Sequence, residues 1–78
     1  MLKSLNKYIR NDEFSINILN NFIDINNFID IIVLESNKVV LSIPNGYLRI
    51  IGKNLTIKKL LNNEIVVDGI IKCIEFGE

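Results

Sequence analysis

No histidine occurs anywhere in the 78 residues, and Cys73 is the single cysteine. Without imidazole, the commonest general base and the commonest transition-metal ligand are both missing. One thiol cannot complete an ordinary zinc site within one chain. Ser-His-Asp and Cys-His nucleophilic arrangements are equally excluded. Carboxylates remain, and Asp24 with Asp30 or Glu64 with Asp68 are the pairs that acid–base work would need. They carry no motif, and solvated strand and turn positions account for them. Cys73 stands among Ile70, Ile71 and Ile74, which predicts a buried, inert thiol. Gly46, Gly52, Gly69 and Gly77 compose neither a G-x-G-x-x-G nor a P-loop, so no nucleotide-binding loop is indicated. The expectation is a chain that is not an enzyme, with no catalytic residue, cofactor, metal or small-molecule substrate.

The chemistry left to such a chain is association. Arg49, Lys53, Lys58 and Lys59 form a basic stretch, with no acidic residue between positions 47 and 59. A small nucleic-acid-binding β-barrel is the alternative reading they support. RNA-binding sheets interleave such charges with exposed aromatics, and only Tyr47 is at hand. The formal net charge is zero, so no global field steers the chain to a polyanion. A solvated edge face is the plainer account, and Lys58 and Lys59 would guard that edge from stray pairing. The second associating feature is Leu2, Leu5 and Ile9, which fall on one helical face with Lys3, Lys7 and Arg10 opposite. A helix of about ten residues is marginal alone in water. It is expected to cap the open end of a sheet, to remain a tail, or to dock through that stripe on a partner groove or a membrane surface.

Residues 1–13 are therefore read as an N-terminal amphipathic helix or tail, and residues 14–78 as one β domain. From Phe14 the period shortens to two. Phe14, Ile16 and Ile18 alternate with polar residues up to Asn20-Asn21, and Ile23 and Ile25 continue to Asn26-Asn27. Residues 28–34 are nearly all apolar, as in a strand buried on both faces, although a short helix fits them as well. Val39, Leu41 and Ile43 lead into Pro44-Asn45-Gly46, a hairpin signal with a mechanism: Pro presets φ, and Asn and Gly tolerate left-handed conformations. Residues 47–51 return. Gly52-Lys53-Asn54 predicts a turn, residues 55–58 a strand, Asn62-Asn63 a turn and residues 64–68 another strand. Gly69 would introduce the last one, with a β-bulge near Lys72-Cys73 letting Ile71 and Phe76 face one core. Positive φ is expected at Gly52 or Gly69 or both. The predicted core is Ile16, Leu41, Ile43, Leu48, Ile50, Leu55, Ile57, Ile65, Val67, Ile71 and Phe76.

Short strands joined by Asn/Gly turns predict an all-β fold, a small antiparallel sandwich or roll. A hydrophobic fraction of 49% argues against disorder. Twelve Asn beside abundant Ile and Lys fit an A/T-rich codon bias better than a prion-like tract. The longest apolar run, residues 31–34, is far short of the roughly 20 residues that span a bilayer. The N-terminus lacks the apolar segment of a signal peptide, and one cysteine forms no internal disulfide, so a reducing cytoplasm is expected.

Residues 43–76 carry a resemblance. A turn Gly (Gly46) precedes a short apolar strand (Leu48, Ile50). There follow G-x-x-L-x-I-x-x-L (Gly52, Leu55, Ile57, Leu60), an acidic-apolar strand (Ile65, Val67) and G-x-I-x-x-I-x-F (Gly69, Ile71, Ile74, Phe76). This series resembles the YabP/YqfC family of sporulation proteins, and the closing I-x-x-I-x-F leans toward YqfC. The resemblance implies a small non-catalytic protein of the mother cell in endospore formation, cytoplasmic or peripheral to a membrane. It also implies self-assembly, or docking to a membrane-anchored partner of the YqfD type. Its motifs mark turns and core and transfer no catalytic or ligand-binding residue.

Overall fold

The computed structural model describes residues 13–78. They form one six-stranded antiparallel sheet without a helix: β1 Ser15–Ile18, β2 Phe22–Asn26, β3 Asp30–Glu35, β4 Lys38–Ile43, β5 Gly46–Leu60 and β6 Glu64–Gly77. The order across the sheet is β1-β2-β6-β5-β4-β3. The expected all-β roll is present, made from one sheet rather than two. The expected helix or tail at the N-terminus lies outside the described residues.

The long β5–β6 hairpin organises everything else. β2 joins β6 only along residues 64–68, whereas β4 joins β5 only along residues 46–51. The sheet therefore has two wings hinged on one ribbon. Ile23, Ile25, Ile65 and Val67 of the first wing pack in one cluster with Val39, Leu41, Ile43, Leu48 and Ile50 of the second. Wings that share a core must fold over one another, and this closure takes Leu41, Leu48, Ile50 and Ile65 completely out of water.

The ribbon bends where the register slips. Asn54 and Leu55 of β5 face only Gly69 of β6, and Lys72 is an extra residue between Ile71 and Cys73. Extra residues of this kind sharpen local bending and twist. Asn54 takes φ 53° and Gly69 φ 129°, both outside the usual strand region. The bend frees backbone amides, and the β3–β4 turn satisfies them: Leu55 N–H donates to the Ser36 carbonyl and Gly52 N–H to that of Asn37. Glycine at 52 is a matter of space, since a Cβ there would collide with the Ile70 carbonyl oxygen.

Two expectations are thereby corrected. Gly52-Lys53-Asn54 is a bend within β5, and Gly69 lies inside β6. Of the two glycines only Gly69 has positive φ. Period-2 runs broken by Gly and Asn read alike whether the chain reverses or merely kinks, and here long cross-strand pairing holds both strands continuous. Residues 28–34 do contain a strand, but β3 is an edge strand with Ile32 and Leu34 exposed, so it is not buried on both faces. The other turns fall as read, with Asn45 at φ 71° closing the β4–β5 hairpin.

Of the expected core, Leu41, Ile43, Leu48, Ile50, Leu55, Ile65 and Val67 are buried, and Ile16, Ile57 and Ile71 pack half-buried at its rim. Phe76 is the exception, at 64% exposed. It pairs with Leu48 and so shares the core face, but it stands at the sheet margin where the opposite wing no longer reaches. Cys73 is likewise exposed rather than buried, because it pairs with Ile51 on the outer face.

Candidate functional site

Among the described residues four strand margins lack a neighbour, and three are protected. β1 is only four residues long. β3 carries a bulge at Ile32 and acidic residues at both ends. The margin of β5 beyond the bend presents Lys58 and Lys59. Short length, bulges and charge all blunt an edge. The fourth margin is residues 70–77 of β6, whose only partner among the described residues is β5. It is the longest open run, regular from Cys73 onward, and its only charges are Lys72 and Glu75.

Its two faces differ. Opposed residues of an antiparallel pair share a face. Ile71, Ile74 and Phe76, opposite Gly52, Ile50 and Leu48, therefore line the core side. Ile71 and Ile74 pack half-buried against the core, and Phe76 continues their row into solvent. Ile70, at 56% exposed, adds a further uncovered apolar side chain. The outer side carries Cys73 and Glu75, opposite Ile51 and Arg49. There Arg49 Nη1 meets Glu75 Oε1 at 2.6 Å, with its guanidinium 5.6 Å from the Tyr47 ring centre. Cys73 Sγ lies 3.7 Å from Glu75 Oε2. Partial desolvation pushes the thiol above its usual pKa, and the Glu75 charge adds to the shift. A raised thiol pKa leaves little thiolate to react.

The basic residues singled out in the sequence are not gathered into one free patch. Arg49 is held by Glu75, Lys58 lies 3.7 Å from Asp68, and Lys59 lies 3.2 Å from Glu64. Lys53 stands apart, paired in the ladder with Ile70. Leu2, Leu5 and Ile9 lie outside the described residues.

The nearest approach to acid–base chemistry is a pair that spacing did not indicate, Asp24 with Glu64. They come together because β2 pairs with β6 in this register. Desolvation raises the Asp24 pKa, and a hydrogen bond to Glu64 raises it further. The same bond, helped by Lys59, lowers that of Glu64. Asp24 Oδ1 is out of water without a partner among the described residues. Among the described residues no three His, Cys, Asp or Glu side chains gather as a metal site, and no helix is long and apolar enough to cross a membrane.

Sequence reasoning missed the β6 margin because Ile71 and Phe76 read as ordinary core. The available signal was the shortage of charge in the last strand, set against Lys58 and Lys59 on the strand before it. A search of the curated proteins and a search of the solved structures found no match. A family model, that of the YabP family, matches residues 11–78. The match does not confirm the leaning toward YqfC, but it covers nearly the whole chain: the chain belongs to the YabP family.

Proposed function

We propose that this chain is a non-catalytic, sporulation-associated interaction module that works by strand pairing along the margin of β6. Membership of the YabP family is consistent with a role in spore formation. The observation that carries the mode of action is exposed Phe76, which continues the half-buried row of Ile71 and Ile74, with exposed Ile70 on the other face, on a strand whose backbone is paired on one side only among the described residues. Unpaired strand N–H and C=O groups are satisfied by another strand, and apolar side chains beside them add affinity. The partner is a second copy or a membrane-anchored sporulation protein of the YqfD type. The alternative, a nucleic-acid-binding barrel, needs its cations free, and the ion pairs of Arg49, Lys58 and Lys59 favour the interaction reading.

Charging the margin tests this in the cell. Ile70→Lys with Phe76→Lys alters two side chains that are each more than half exposed, so the fold is expected to survive. At equal protein level the double variant is expected to lower spore yield as far as deletion of the gene does. Normal spore formation by the double variant would overturn the reading.

A further inference from the structure

We propose that residues 70–77 of β6 pair antiparallel with the same residues of a second copy, in the register that sets Ile74 opposite Ile74. This rests on the interaction-module reading above and names its partner. A two-fold axis relating antiparallel strands stands normal to the sheet, so faces are preserved and some residue must oppose itself. Which residue that is follows from the pattern of the strand.

With Ile74 at the axis, the core side reads Phe76, Ile74, Ile74, Phe76 across the joint. The extra residue at Lys72 then brings Phe76 level with Ile71 of the other copy. The exposed Phe76 of each copy thereby continues the half-buried Ile71–Ile74 row of the other. On the outer side Glu75 falls opposite Cys73 of the other copy, with that copy's Lys72 beside it. The arrangement occurs twice by symmetry, so the two charges of the margin neutralise each other across the joint. Shifting the axis to Cys73 sets the Lys72-Cys73 step against itself, with Lys72 beside Lys72, and turns Glu75 toward Ile70. Like charges facing one another across a strand pair are destabilising. Charge and apolar pattern therefore select the same register. A single strand pair is a small interface, so the dimer belongs to the weak, concentration-dependent class.

Sedimentation equilibrium of the full chain over a range of concentrations, with two charge reversals, tests this. Lys72 makes no ion pair among the described residues, so Lys72→Glu is expected to leave the fold intact. Glu75→Lys removes the partner of Arg49, and its folding is checked by circular dichroism. Each reversal alone places like charges across the joint and is expected to raise the dimer Kd at least tenfold. In an equimolar mixture the glutamate introduced at position 72 meets the lysine introduced at position 75, and the native Glu75 and Lys72 meet at the other end. Mixing is therefore expected to restore dimers that neither variant forms alone. Loss of a purely structural role would not be rescued in this way. A wild-type chain that stays monomeric overturns the proposal, as does a dimer that both reversals leave unchanged. If the wild type is monomeric while the Ile70→Lys/Phe76→Lys variant still abolishes spore formation, the margin serves a different protein and the interaction reading stands. If both results are negative, both readings fall.

Discussion

Gly52→Ala is expected to cost about 3 kcal/mol or more, a large share of the roughly 5–8 kcal/mol expected of so small a domain. The cause is not backbone strain, because Gly52 has no left-handed φ. The ribbon bends here so tightly that the new Cβ would overlap the Ile70 carbonyl oxygen and press on a methyl group of Leu55. Neither can retreat easily. Ile70 is fixed in the β5–β6 ladder, and Leu55 is a core residue whose amide is anchored to Ser36. Gly69→Ala offers a contrast within the same bend. Its φ of 129° is disfavoured for any other residue, and its Cβ would meet the Asn54 carbonyl oxygen at 2.6 Å, so strain and overlap act together there. Chemical denaturation measures both. A loss below about 1 kcal/mol for Gly52→Ala would show that the ribbon does not bend at this point.

Leu48→Ala and Phe76→Ala should part widely, although the two residues oppose each other on one face. Leu48 has no exposure and sits where the wings meet, so its truncation leaves a cavity and is expected to cost about 2–5 kcal/mol. Phe76 as a core residue would cost about as much, and that is what the sequence pattern alone predicts. Most of its side chain is in solvent, so the expected loss is below about 1 kcal/mol in the isolated chain. Thermal melts at low protein concentration, where association does not contribute, make the comparison clean. Equal losses for the two variants would place Phe76 back under the opposite wing.

The strands were legible because period and punctuation agree in most of the chain. Val39, Leu41 and Ile43 before Pro44-Asn45 specify one hairpin, and Asn62-Asn63 the next. Even the bulge at Lys72 could be inferred, since without it Ile71 and Phe76 could not share a face. Continuity was not legible. A glycine between two alternating runs signals a change of direction, and its size, a reversal or a bend, depends on what pairs alongside. Ser36 and Asn37 decide that for Gly52 by supporting the bend with hydrogen bonds from another hairpin, a contact no local pattern encodes. The candidate site was hidden for a related reason. Phe76 has the residue type, spacing and face of a core position, and only the reach of the opposite wing decides that it is bare. The Asp24–Glu64 pair depended in the same way on how β2 and β6 register.

Hydrogen exchange of the full chain, resolved by segment and followed as concentration rises, tests the central claim most directly. If the module works by pairing along β6, the amides of residues 70–77 that face away from β5 exchange fast in dilute solution and slow as copies associate. Residues 64–68, already flanked by β2 and β5, are expected to hold constant protection throughout. Slowing confined to β1 or β3, with residues 70–77 unchanged, would contradict the account.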